Sequence, residues 1–123
     1  MDPRTEAHLR MADRNRDLAS ILVAAELSAP PYSWAVVVAF YAAMHYVNAY
    51  LWEKIRIEPR NHDERSDWLA KIAALKSVDG QYGRLRSLAF SARYDPFYQI
   101  NRPTAESALL DIADIERAVR GAI

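Results

Sequence analysis

The segment from Arg56 to Arg65 contains one histidine, His62, and three arginines, Arg56, Arg60 and Arg65. A histidine whose pKa lies near neutral pH can exchange a proton with a ribose hydroxyl or a leaving group. A neighbouring guanidinium can stabilise the extra charge of a phosphorane-like transition state. Asn61 is expected to cap a helix here, and the free N–H groups of a helix start also favour an anion. The segment therefore predicts either an anion site or a solvated loop whose arginines pair with nearby carboxylates.

A second set of polar residues lies within an otherwise apolar stretch. Tyr41, His45 and Asn48 are three or four positions apart, so in a helix their side chains share one face. Each needs a partner, because an unpaired buried polar group costs about 1 to 3 kcal/mol. We expect these side chains either to form a network that fixes the register of the helices or to line a cleft.

The third set is Arg93 with Tyr94, near the end of a predicted helix. Arg93 is expected either to satisfy the last carbonyls of that helix or to reach into the same cleft as His62. No metal is expected, since the three histidines lie on different predicted helices and cysteine is absent. No cofactor is expected either, because no glycine-rich phosphate loop occurs. His8 is expected to be exposed and without a role.

The spacing of apolar residues predicts an all-α protein. Apolar positions recur every three or four residues, while the alternation typical of strands does not persist. We expect residues 1–123 to form a single domain, an antiparallel bundle of about five helices. The first predicted helix runs from about Thr5 to Leu27, and the second from the N-cap Ser33 to Ile55. The third begins after the N-cap Asn61 and has an apolar stripe that reaches Leu75. The fourth runs from Asp79 or Gly80 to Asp95, and the fifth from the N-cap Thr104 to Gly121.

Two details of the bundle follow from the same pattern. Leu18, Ile21, Leu22 and Ala25 are expected to form the inward face of the first helix, whose charged first half projects beyond the core. The apolar segment 97–100, between the last two helices, is compatible with a place in the core, in an interface or in a lid.

Charge and hydropathy restrict the possible partners. The chain has 16 basic and 16 acidic residues, so contact with nucleic acid requires a local basic cluster. The stretch from Trp34 to Trp52 is long enough to cross a membrane, but its tyrosines, His45 and Asn48 favour a central bundle helix without membrane contact. The charged N-terminus lacks the apolar run of a signal peptide, and together with the absence of cysteine this predicts a cytoplasmic protein.

The chain resembles the HEPN superfamily, compact α-helical domains named for higher eukaryotes and prokaryotes nucleotide-binding proteins. The resemblance covers about Ser33 to Tyr94 and is carried by Trp34-Ala-Val-Val-Val-Ala-Phe-Tyr41-Ala-Ala-Met-His45, then His62-x-x-Arg65, then Ser91-Ala-Arg93-Tyr94. It implies a helical bundle that commonly homodimerises, with a cleft at the dimer interface. Many members are metal-independent endoribonucleases in toxin–antitoxin or phage-defence loci, and others are binding or scaffold modules.

The nucleases of this superfamily carry an arginine followed, after four to six residues, by a histidine. In this sequence Arg56 with His62 meets that spacing. The resemblance therefore implies that His62 is the general acid or base and that Arg56 or Arg65 holds the scissile phosphate. Arg93 would assist.

We accordingly expect a HEPN-like homodimer that acts on RNA or a nucleotide, with Tyr41, His45 and Asn48 along its cleft and Arg60 and Tyr94 in binding roles. It would be a metal-independent endoribonuclease in a toxin or phage-defence system. The first alternative is a non-catalytic module that binds a partner protein, such as a nucleotidyltransferase-type antitoxin. The second is a structural bundle that dimerises through its tyrosines and tryptophans.

Overall fold

The structure, a computed structural model, describes all 123 residues and contains five α-helices and no strand. The helices are α1 (Pro3–Ala24), α2 (Tyr32–Ile55), α3 (His62–Lys71), α4 (Asp79–Tyr94) and α5 (Arg102–Ala122), with a 3₁₀ helix (Ala73–Val78) between α3 and α4. The predicted all-α class and the number of helices are confirmed.

α2 is the central helix, and α1, α4 and α5 pack around it. Its buried residues are mostly alanine and valine, which allow three neighbouring helices to approach closely. By length and composition α2 is the one helix that could cross a membrane, yet 67% of its most apolar window is buried inside the protein. Its hydropathy is therefore that of a core helix.

α1 buries a different face from the one predicted. Its buried residues are Thr5, Leu9, Ala12, Ala19 and Val23. Leu18 and Ile21 are exposed while Leu22 packs against the core, so the predicted inward face was wrong in part; the predicted projection of the first half beyond the core was wrong. Small residues at positions 12 and 19 bring α1 close to α2, and two of the charged residues between them, Asp13 and Arg16, have partners on other helices.

One network of charged groups supplies those partners and joins α1, α2 and α5. The Tyr46 hydroxyl donates to Asp13 Oδ1 at 2.6 Å, and Arg120 Nη2 donates to the same oxygen at 2.6 Å. Arg16 Nη1 donates to Glu116 Oε1 at 2.8 Å. Burial and the bond to Asp13 raise the pKa of Tyr46, so its hydroxyl remains a donor. Two guanidinium groups and two carboxylates balance in charge, which makes partial burial tolerable.

Asparagine side chains cap two of the helices. Asn61 Oδ1 accepts from the Glu64 N–H at 2.8 Å, which confirms the predicted cap of α3. Asn101 Oδ1 accepts from the Thr104 N–H at 2.9 Å, so Thr104 lies inside the first turn of α5 and its prediction as the N-cap was wrong. Ser33 is likewise not a cap, because α2 begins one residue earlier.

The predicted third helix is divided in two. α3 ends at Lys71, and Ile72 has extended backbone angles. The 3₁₀ helix that follows buries Leu75 and Val78. The end of the predicted apolar stripe is thus buried by the 3₁₀ helix and not by α3. α4 begins at Asp79, as expected.

The connection between α4 and α5 has no single environment. Phe97 is 90% exposed, whereas Ile100 packs against the core. Tyr98 lines a cleft between α4 and α5. The segment is therefore attached to the bundle at its C-terminal end and open to solvent at Phe97.

Candidate functional site

His62 is fixed at the start of α3 by contacts on two sides. Arg65, less than one turn later, donates from Nη1 to His62 Nδ1 at 3.2 Å. The ring of Phe40 on α2 packs against the imidazole, with 5.3 Å between ring centroids. A neutral ring that accepts at Nδ1 carries its proton on Nε2. His62 is therefore a hydrogen-bond donor through Nε2.

Arg65, which bonds to His62, is itself buried and only 5% exposed. Its Nε donates to Asn48 Oδ1 at 2.8 Å, so a chain of hydrogen bonds runs from the core helix α2 to the imidazole. A buried guanidinium needs such acceptors, because an unpaired buried charge is strongly destabilising. Arg65 therefore orients His62.

Arg86 and Arg93 on α4 bring further positive charge to His62. The pKa of His62 is lowered from its ordinary value, first by burial and then by the charges of Arg65, Arg86 and Arg93, while Asp63 raises it. The imidazole is consequently neutral near pH 7. We call His62, Arg86 and Arg93 the basic face.

Arg86 ties α4 to α3. Its Nη2 donates to Asp63 Oδ1 at 2.7 Å and its Nη1 to Ser66 Oγ at 3.0 Å. Arg86 and Ser66 also line a cleft of about 600 Å³ along the outer side of α4, together with Phe90. The sequence did not reveal Arg86 as a site residue, since its link to His62 depends on how α3 and α4 pack.

Arg93 donates to a carbonyl of its own helix and to a side chain of α2, and its charge acts on His62. Its Nε donates to the Ala89 carbonyl at 3.2 Å, and its Nη1 donates to the Tyr41 hydroxyl at 3.2 Å. The guanidinium also lies 5.2 Å from the centre of the Tyr94 ring, which is 65% exposed. Arg93 therefore bonds within its own helix, links α4 to α2 and lies at the edge of the basic face.

Tyr41, His45 and Asn48 share one stripe of α2, as the spacing predicts, but their partners lie on three different helices. Tyr41 meets Arg93 of α4, and Asn48 meets Arg65 of α3. This stripe connects α2 to three other helices through separate side-chain contacts, and its role along a cleft stays a prediction.

His45 has its partner on α1. His45 Nδ1 lies 3.0 Å from His8 Nδ1, and His8 Nε2 lies 3.1 Å from Glu58 Oε1. While the His8 ring is neutral, the carboxylate accepts from its Nε2, so its Nδ1 accepts and His45 donates; a protonated His8 donates to His45 instead. Burial, followed by the charges of His8 and Arg65, lowers the pKa of His45 to about 4.

The expectation that His8 is exposed was wrong, since only 12% of its side chain is accessible. His8 adjoins Leu9 and lies between Thr5 and Ala12, which define the buried side of α1. This position in the sequence indicates that His8 is buried. The prediction failed because the inward face of α1 was assigned to other residues.

Two of the predicted arginines pair with carboxylates and make no hydrogen bond to His62. Arg56 Nη1 pairs with Asp2 Oδ2 at 3.0 Å. The Arg60 side chain is 88% exposed and pairs with a carboxylate one turn into α3. The structure thus does not bring Arg56 to His62, and Arg65 is the arginine that bonds to the imidazole. No three histidine, aspartate or glutamate side chains converge as a metal site.

Fold and site together define a class of protein: an all-α bundle in which a neutral histidine lies within a basic cluster. The family model of the HEPN domain matches residues 5–122, and the chain belongs to the HEPN family. The predicted resemblance is therefore confirmed over nearly the whole chain. HEPN domains are associated in general with RNA-related or nucleotide-related functions. No curated protein matches the sequence.

Proposed function

We propose that this HEPN domain binds RNA, with the phosphate backbone on the basic face. The observation that supports this most is the convergence of Arg65, Arg86 and Arg93 on a neutral His62 in a chain whose formal net charge is +0. A local excess of positive charge attracts a polyanion even when the whole molecule is neutral. Asp63 is the carboxylate that acts in the opposite direction on His62.

Each member of the basic face has a distinct part in this proposal. The partly exposed guanidinium groups of Arg86 and Arg93 donate to phosphate oxygens, as arginine does in charge-assisted pairs. His62 donates its Nε2–H to a third oxygen. Arg65, which is 5% exposed, does not reach the ligand and acts as a positioning residue.

The test is the affinity for single-stranded RNA of a double variant, Arg86→Gln with Arg93→Gln. Losing two charge-assisted contacts is expected to weaken binding about 10-fold or more. It should also lower the slope of log affinity against log salt by about 1.4, since each phosphate contact on a single strand contributes about 0.7. Fluorescence anisotropy between about 50 and 200 mM salt measures both quantities.

A control for this variant is Arg117→Gln on α5, whose arginine is 75% exposed and paired with Asp114. It is expected to keep the affinity and the salt slope of the wild type. Circular dichroism checks that each variant is folded. Unchanged binding by the folded double variant would contradict the proposal.

A second candidate, metal-independent endoribonuclease activity, is supported by the bond from Arg65 to His62 Nδ1, which places the proton of the neutral ring on Nε2. In such a reaction the ribose 2′-oxygen attacks phosphorus and loses its proton to water. The 5′-oxygen leaves and takes a proton from water, so the products are a 2′,3′-cyclic phosphate and a 5′-hydroxyl. The Nε2–H of His62 and the arginines would stabilise the charge that develops on the phosphoryl oxygens.

The setting of this activity rests on the family resemblance. A toxin or phage-defence role, homodimerisation and a cytoplasmic location stay predictions. The same holds for a partner protein such as a nucleotidyltransferase-type antitoxin.

A further inference from the structure

Two aromatic side chains on α4 are exposed to solvent next to the basic face. Phe90 is 60% and Tyr94 65% exposed, and they lie one helical turn apart. Their ring centroids are 5.0 Å apart, with planes inclined by 55°. Large exposed aromatic pairs in a folded protein commonly mark a binding surface.

Charge surrounds this aromatic pair. Phe90 lines the cleft of about 600 Å³ that also contains Arg86. The Arg93 guanidinium lies 5.2 Å from the centre of the Tyr94 ring. Positions 86, 90, 93 and 94 share one side of α4, so cations and rings alternate along it. An apolar protein partner would have to desolvate these guanidinium groups, whereas a nucleic acid strand presents phosphates to the arginines and bases to the rings.

We propose that Phe90 and Tyr94 are a stacking platform for unpaired bases of a single-stranded RNA whose phosphates lie on the basic face. This inference rests on the proposed RNA binding and names its substrate class. Aromatic side chains beside a basic groove are the means by which proteins hold single strands, because every base has a π-face. The bases of a duplex are already stacked on one another, so the platform contributes only to a strand with free bases.

The experiment compares two double variants for binding to a fluorescein-labelled uridine dodecamer, a strand whose bases stack weakly on each other. Phe90→Leu with Tyr94→Leu keeps an apolar surface but removes the rings, and its affinity is expected to fall about 5-fold or more. Phe90→Tyr with Tyr94→Phe keeps both rings and is expected to retain wild-type affinity. Neither site is part of the core, so both variants should fold.

Two further ligands separate stacking from charge. A strand of the same length with abasic riboses should bind wild type and the leucine variant equally, and so should the dodecamer annealed to its adenosine complement. Equal binding of the uridine strand by wild type and the leucine variant would overturn the platform while leaving the proposed RNA binding intact. A wild-type protein that binds none of these ligands would overturn both. If the leucine variant lost as much affinity for the abasic strand as for the uridine strand, Phe90 and Tyr94 would have a structural role. That result would also overturn the platform.

Discussion

At the scale of single residues, replacing His62 distinguishes RNA binding from RNA cleavage. If this domain is a nuclease, His62→Ala should lower the rate of RNA cleavage in EDTA about 100-fold or more, the usual contribution of a donor that stabilises the charge developing in the transition state. RNA affinity should fall far less, because Arg86 and Arg93 remain. Gel assays of purified wild type and variant, side by side, measure the rate.

The outcomes of that assay are distinct. Cleavage that needs a divalent metal, or that is equal in wild type and His62→Ala, would rule out the proposed ribonuclease mechanism. Absence of cleavage in both proteins would remove the ribonuclease candidate and leave RNA binding as the function.

His45 predicts a dependence of stability on pH. Its pKa is lowered from 6.5 to about 4, so in this interval the unfolded chain binds a proton that the folded protein excludes. Stability is therefore fully present above about pH 6.5 and decreases as pH falls toward 4. A shift of this size equals about 3 kcal/mol for a fully buried group, and since His45 is only half-buried we expect about 1 to 2 kcal/mol.

Urea unfolding at several pH values, with His45→Gln as the comparison, measures this effect. The variant should lose less stability than the wild type between neutral pH and pH 5, because glutamine does not titrate. Parallel curves for the two proteins would show that His45 is not the group responsible.

Side-chain contacts were predictable where they are local and unpredictable where they span the chain. Arg65 lies three positions from His62, so their contact follows from helical spacing alone. The pair His8 and His45 is separated by 37 positions, and the approach of Arg86 requires the packing of two helices. The spacing of residues in the sequence carries no information about such long-range contacts.

At the scale of elements, the start of α5 gives a stability test. Asn101→Ala should cost about 1 kcal/mol, because the Thr104 N–H would lose its acceptor. Thr104→Ala is the matched control and should change stability by about 0.5 kcal/mol or less, since its hydroxyl is not the cap. Chemical denaturation of the two variants measures both values. A larger loss for Thr104→Ala would contradict the capping geometry.

Helix number and most helix ends were predictable because prolines and caps are local signals. The inward face of α1 was not, because its charged residues take part in a network with Tyr46 and Glu116 on other helices. A pattern of apolar residues alone then favours Leu18 and Ile21, which are in fact exposed. Long-range ion pairs thus overrode the hydrophobic pattern in this helix.

At the scale of the whole molecule, the placement of charge matters more than its sum. The formal net charge is +0, yet the arginines around His62 form a basic face between α3 and α4. Nonspecific attraction depends on total charge, while a site depends on position. Two variants of equal net charge can therefore separate these effects.

The most direct measurement compares the affinity for single-stranded RNA of Arg86→Gln/Arg93→Gln and of Arg14→Gln/Arg117→Gln. The second pair removes two exposed arginines from α1 and α5, outside the basic face. We predict about 10-fold or more weaker binding for the first variant and nearly wild-type binding for the second. Equal losses in the two variants, or no RNA binding by the wild type, would contradict the account and favour the module that binds a partner protein.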